Sequence, residues 1–170
     1  MTDVLSRPFG DLRIGDRFTT RGRTVTEGDV SLFAGLTGDH HPLHTDAVWA
    51  AAGPFGERIA HGLLVAGCAA GLVPFDPDRV MALRRIRDLT FKRPVRLGDT
   101  IRVEGTIAQT APVGEDTGLV VCDWRIRNQH DELVCRMTVD VLWRAEEAIA
   151  EPELVSAEAA LGDYVPFPVI

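Results

Sequence analysis

The chain has 170 residues, a formal net charge of −7 and a hydrophobic fraction of 45%. That length predicts one domain with enough chain to bury a single core. An acidic balance without a long basic run excludes a protein built to grip phosphate backbones, so no nucleic-acid partner is expected. Residues 1–16 lack the apolar run of a secretory signal. The longest apolar stretch, 63–75, is too short for a membrane span and contains Gly67, Gly71 and Pro74. The expectation is therefore a soluble cytoplasmic protein with no membrane partner. Cys68, Cys122 and Cys135 form an odd set without metal or redox spacing, which suits a reducing compartment. Cys68, within a small-residue apolar pattern, reads as a buried inert thiol.

In chain order, the Gly15-Asp16 turn leads into a predicted strand over 17–26, where Thr24, Val25 and Thr26 favour extended backbone. Thr26 then stands as an N-cap, with Asp29 three residues on in an acidic first turn. Val30, Phe33 and Ala34 give that helix an apolar side, and Gly35 and Gly38 close it. A loop comes next: Gly38, Asp39, His40, His41, Pro42, Leu43, His44. Pro42 biases His41 out of helical angles. Thr45 is expected to cap a short helix over 46–52, ended by Gly53-Pro54 and Gly56. His61-Gly62 opens the longest helical pattern, through Val73, apolar all round and so expected to be buried on most sides. Pro74 and Pro77 end it.

The period then changes. Strands are predicted over 80–94, 100–109, 119–128 and 133–144; Ile101, Val103, Gly105 and Ile107 alternate with Arg102, Glu104 and Thr106 as in a half-buried antiparallel strand. Residues 97–99, 113–116 and 128–131 are turn material. A strand, a helical insert and four strands around one buried helix indicate an α+β fold with an antiparallel sheet wrapped around that helix. The organisation expected is one domain over 1–145 and a C-terminal tail over 146–170. The tail carries a short helix over 153–161 and an apolar end that packs on the domain or on a partner subunit.

The chemistry concentrates in the loop. Asp39 and His44, separated across Pro42, can face each other over a small gap, which suits moving a proton onto and off a water molecule. Burial of the pair is expected, and it would lower the pKa of His44. His40 reads as exposed loop. His41 reads equally as a partner of the pair or as a structural hydrogen bonder, and His61 as pocket wall or as a satisfied buried histidine. No metal is expected: adjacent histidines in an extended loop point opposite ways, and no Cys or Glu completes a known ligand spacing. No cofactor is expected either, because Gly35-x-x-Gly38 lacks the strand–turn–helix setting of a dinucleotide site.

The run from Phe33 to Ala47, with Gly38-Asp39-x-x-Pro42-Leu43-His44, resembles the signature of the MaoC-like, or (R)-specific enoyl-CoA hydratase, family. Ala60-His61-Gly62-Leu63-Leu64 and Arg93-Pro94-Val95-Arg96-Leu97-Gly98-Asp99-Thr100 resemble the same family, so the likeness runs in order over about residues 10–145. The resemblance implies a hot-dog fold, a homodimer with its active site near the interface, and reversible addition of water to a 2-enoyl thioester, carried by CoA or by a carrier protein, in fatty-acid or polyketide metabolism. It carries the catalytic pair onto Asp39 and His44, and the carbonyl-polarising amide onto the N–H of Gly62, where a helix N-terminus suits a developing oxyanion.

On that reading Phe33, Trp49 and Phe55 either line the acyl pocket or belong to the core. The basic residues Arg84, Arg85, Arg87, Lys92, Arg93 and Arg96 either meet phosphates of the thioester carrier or form a solvated face offset by Asp88 and Asp99. One departure from the family pattern is His41, which stands where Asn is usual; a histidine still donates a hydrogen bond but also titrates near neutral pH. Thioester hydrolysis, a non-catalytic hot-dog subunit and intramolecular oxa-Michael cyclisation on the same pair are the alternative activities. The pairing of Asp39 and His44 with the Gly62 helix start favours hydration over hydrolysis.

Overall fold

The computed structural model describes residues 4–145; the expected tail and its helix lie outside the described residues. The predicted first strand is two short strands, β1 (Arg17–Thr19) and β2 (Arg23–Thr24), both antiparallel to β4 (Thr100–Pro112). The break falls at Thr20–Gly22: the Thr20 hydroxyl donates to the Arg21 carbonyl at 2.8 Å and accepts from the Val103 N–H at 3.0 Å. Helix α1 (Glu27–Thr37) starts with the expected capping box, in which Thr26 and Asp29 exchange side chain-to-backbone hydrogen bonds. It ends at Gly38, whose φ of 77° is left-handed.

Next come α2 (Pro42–Thr45), α3 (Ala47–Ala51) and α4 (Gly62–Leu72). Asp46, not Thr45, caps α3, taking the N–H groups of Val48 and Trp49 at 2.9 Å each. Thr45 instead donates its hydroxyl back to the carbonyls of His40 and His41. Strands β3 (Val80–Phe91), β5 (Thr117–Arg127) and β6 (Leu133–Arg144) complete an antiparallel sheet in the order β1-β4-β5-β6-β3.

Leu64, Val65, Ala66, Cys68, Ala69 and Leu72 of α4 share one core with Val103, Ile107, Cys122, Trp124, Ile126, Val139, Val141 and Trp143 of the sheet. The helix is not covered all round as its composition suggested: Leu63 is 62% exposed, and Gly67 and Gly71 are exposed. The three thiols are buried, and burial pushes Cys122 up to about 12 and Cys135 up to about 11, so neither is a nucleophile near neutral pH. No helix among the described residues is long and apolar enough to cross a membrane.

One close approach sets the seat of β1. The Phe18 ring lies across Gly105 opposite it, where an added Cβ would sit 2.0 Å from Cζ of Phe18. Gly105→Ala must displace a ring that is 8% exposed; the expected cost is about 1–3 kcal/mol, read by urea unfolding. An unchanged midpoint would show that β1 shifts freely.

Candidate active site

The left-handed turn at Gly38 aims the chain out of α1, and local hydrogen bonds shape the loop from Asp39 to His44. The Asp39 carboxylate accepts from the His41 N–H at 3.3 Å. His41 is the N-cap of α2: its Nδ1 accepts from the Leu43 N–H at 3.2 Å, and Pro42 takes the first helical position, where no N–H is needed. The single turn of α2 delivers His44. Its Nδ1 lies 2.7 Å from the Ile59 carbonyl. A carbonyl only accepts, so Nδ1 carries the proton and Nε2 keeps the lone pair.

Ile59 and Ala60 are themselves pinned. The Ile59 N–H donates to the Leu43 carbonyl at 3.3 Å, and the Ala60 N–H to the Val95 carbonyl at 2.8 Å. The Arg93–Thr100 motif is thus the rail on which the site is mounted. Asp99, 9% exposed, holds that rail by accepting from the Arg96 N–H at 2.8 Å and the Gln129 side chain at 2.7 Å. It does not offset the basic residues as expected. Arg84 and Arg87 face the buried Asp140, Arg93 faces Glu132, and Arg96 faces Glu57.

His61 precedes α4 and is 1% exposed. It lies 3.0 Å through Nε2 from the Asp39 main-chain carbonyl. Its ring stacks on His44, with centroids 3.8 Å apart and 30° between planes, and touches Phe33 at 4.9 Å. One carboxylate oxygen of Asp39 and one ring nitrogen each of His44 and His61 lie within 4.8 Å of one another. These donor types can hold a divalent ion as well as exchange protons with a bridging water.

The burial expected for the pair is not reached: Asp39 is exposed and His44 is half-buried. Burial holds the His44 imidazole below the ordinary histidine value; the Ile59 carbonyl opposes this, His61 adds to it, Asp39 opposes it and His41 adds to it.

A pocket of about 270 Å³ contains His44, Gly62, Phe55, Val65, Phe91, Lys92 and Arg93. Of the expected substrate contacts Phe55 lines it, while His41, Trp49, Phe33 and His61 do not. His41 and Trp49 meet edge to face, with centroids 5.5 Å apart. Phe33 borders a separate cavity of about 550 Å³ along α4, which holds neither Asp39, His44 nor Gly62. Gly62 opens α4 under Phe91: a Cβ there would stand 2.6 Å from the ring. His61, the N-cap, makes no side-chain cap hydrogen bond, so no side chain of that residue occupies the first N–H groups. Sequence reasoning missed Phe91, signalled only as an aromatic just before the Arg93-Pro94 motif, and the Ile59 carbonyl, a backbone group without a sequence signal.

An antiparallel sheet packed on one apolar helix defines the hot-dog class of fold. The MaoC-like domain matches residues 11–121, and the chain belongs to that family. Among curated relatives, protein MaoC of Klebsiella aerogenes is 42% identical over 58% of this chain and 30% of its own length. A 3-hydroxybutyryl-CoA dehydratase of Methylorubrum extorquens is 36% identical over 61% of this chain and 66% of its own. An (R)-specific enoyl-CoA hydratase of Rhodospirillum rubrum is 34% identical over 65% and 76%.

The matched region thus spans under a third of the first of these relatives and about two thirds of the second. Among solved structures, a monoamine oxidase regulatory protein from Archaeoglobus superposes with a TM-score of 0.77 at 36% identity, covering 82% of this chain and 95% of that one. A Mycobacterium tuberculosis protein with a double hotdog fold superposes with a TM-score of 0.73 at 25% identity, covering 88% and 47%.

Proposed function

We propose that the chain is a lyase that reversibly adds water to a 2-enoyl thioester, on CoA or a carrier protein, with Asp39 and His44 as the acid–base pair. The observation that carries this is the gap of at most 4.8 Å between the Asp39 carboxylate, the His44 ring and the His61 ring. A water accepting or donating at about 2.8 Å to each side bridges such a gap. The activities named for the hydratase and dehydratase relatives support the same chemistry.

In hydration, the water gives a proton to the pair as its oxygen attacks C3, and the pair returns a proton to C2. Nε2 of His44 is the nitrogen available for this, because Nδ1–H is committed to Ile59. Negative charge gathers on the thioester oxygen as the bond to C3 forms. The Gly62 N–H at the head of α4 is the donor proposed to receive it. Phe55, Val65 and Phe91 offer apolar walls to the acyl chain, and Lys92 and Arg93 offer positive charge to an anionic carrier.

Heavy-oxygen water tests the reaction class. The label is expected in the C3 hydroxyl of an intact thioester; label in a free carboxylate, with thiol released, would show hydrolysis instead. Because the His44 imidazole is held below its ordinary value of 6.5, its neutral form persists to lower pH than a free histidine. The acid limb of kcat/KM therefore falls below about pH 6.5, and activity is lost as pH drops through it. A limb above 7 would contradict that sign. His41→Asn supplies the usual family side chain at the α2 cap and is expected to change kcat by no more than a few-fold; a shifted pH profile would show that His41 protonation contributes.

Assembly as a homodimer is part of the proposal. Among the described residues strand β3 is a sheet edge, and it exposes Met81, Leu83, Ile86 and Phe91, each 42–48% accessible. An apolar edge of that kind invites strand pairing. Sedimentation equilibrium is expected to give twice the chain mass; a monomer at micromolar concentration would contradict it.

A further inference from the structure

The acid–base pair needs support, since Asp39 is exposed on a loop and His44 lies on a single helical turn. One residue touches both. His61 reaches the Asp39 main chain through Nε2 at 3.0 Å and stacks on the His44 face at 3.8 Å. The Asp39 carbonyl only accepts, so Nε2 carries the His61 proton. Nδ1 is then the unprotonated nitrogen, and it is buried with no hydrogen-bond partner among the described residues.

A buried ring nitrogen without a partner is destabilising. A phenylalanine would fill the same space without that cost. Nor does His61 serve the helix it precedes: it stands at the N-cap of α4 and gives that helix no side-chain hydrogen bond. What the imidazole supplies and an apolar ring does not is the Nε2–H bond to Asp39. Phe33 packs on His61 at 4.9 Å and holds the ring from behind.

We propose that His61 is a positioning residue for the acid–base pair: its Nε2–H holds the Asp39 backbone and its ring face backs the His44 imidazole, so both groups are set before substrate arrives. This rests on the hydratase reading of Asp39 and His44. Outer partners that orient reacting groups in this way act by fixing geometry rather than by touching substrate. Because His61 sits directly before Gly62, the same residue ties the pair to the head of α4, where the thioester oxygen is proposed to bind. The groups facing His44 are Asp39 and His41 from its own loop, His61 from the head of α4, and Lys92 and Arg93 across the pocket.

The test compares parent, His61→Phe, His61→Gln and Asp39→Asn on one 2-enoyl-CoA. His61→Phe keeps the ring contact and loses the donor; it is expected to lower kcat about 10- to 100-fold and leave KM within about twofold. His61→Gln restores a donor and is expected to recover part of kcat. Parent kcat in His61→Phe, with Asp39→Asn inactive, would overturn the positioning role alone. Parent rates in Asp39→Asn would overturn the hydratase reading itself. A readout independent of both turnover and variant folding is imidazole nitrogen NMR on the parent protein: His61 is expected as the Nε2–H tautomer and His44 as Nδ1–H. A His61 found as Nδ1–H overturns the proposal.

Discussion

Asp39→Asn lowers kcat for enoyl-thioester hydration by about 10²–10⁴-fold, the usual worth of a positioned acid–base group. The fold is expected to survive intact, for local reasons. The bond from His61 goes to the Asp39 main-chain carbonyl, which the substitution keeps. The bond from the His41 N–H goes to a side-chain oxygen that Asn also offers. Only the negative charge and the proton-accepting oxygen disappear. Because the residue is exposed, the melting temperature is expected to move by no more than about 2 °C. Steady-state kinetics and thermal unfolding on the same preparation separate the two effects. Loss of activity accompanied by a large drop in melting temperature would assign Asp39 a structural role instead.

His44→Ala is expected to lose turnover on the same scale, with a different structural signature. The variant gives up Nε2 and also the Nδ1–H bond to Ile59, leaving that carbonyl to water and uncovering one face of His61. A stability loss of about 1 kcal/mol is expected for the hydrogen bond. The Asp39→Asn/His44→Ala double variant is the more informative measurement. Two groups handling one water act as a unit, and such groups are strongly non-additive. The double variant is expected to fall within a few-fold of the worse single one. A rate near the product of the two losses would mean that the residues act on separate steps.

Much of this was legible in the chain because the signals were local. Thr26 and Asp29 announce a capping box, Gly38 announces a left-handed stop, and the alternation through Ile101, Val103 and Ile107 announces a half-buried strand. Boundaries were less legible where tertiary pairing overrides local pattern. Strand β4 runs past Gln109 to Pro112 because a register shift after Ile107 lets Thr110, Ala111 and Pro112 pair with Val120, Leu119 and Gly118. Asp46 displaces Thr45 as a cap because the Thr45 hydroxyl is drawn back to the preceding turn.

At the site, the residues that approach one another were readable as types, but not the environment of each. Nothing in the order of residues says that Asp39 is exposed while His61 is enclosed; the segment leading into His61 is fastened by the Ile59 N–H to Leu43 and the Ala60 N–H to Val95, both distant in sequence. The reading of Asp99 as a counter-ion failed for a similar reason: its oxygens are consumed by a backbone N–H and by Gln129, thirty positions away. Arg84 and Arg87 find Asp140 only because β3 and β6 pair.

The most direct measurement is the loss of enoyl absorbance when purified protein meets a series of short and medium 2-enoyl-CoA esters, with Asp39→Asn run in parallel. The expected result is rapid loss with the parent protein, 3-hydroxyacyl-CoA as product, and loss slowed by about 10²–10⁴-fold with the variant. Equal rates for the two proteins, or no turnover of any enoyl thioester on CoA or on a carrier protein by the folded parent, would contradict the assignment of Asp39 and His44 as a hydratase pair.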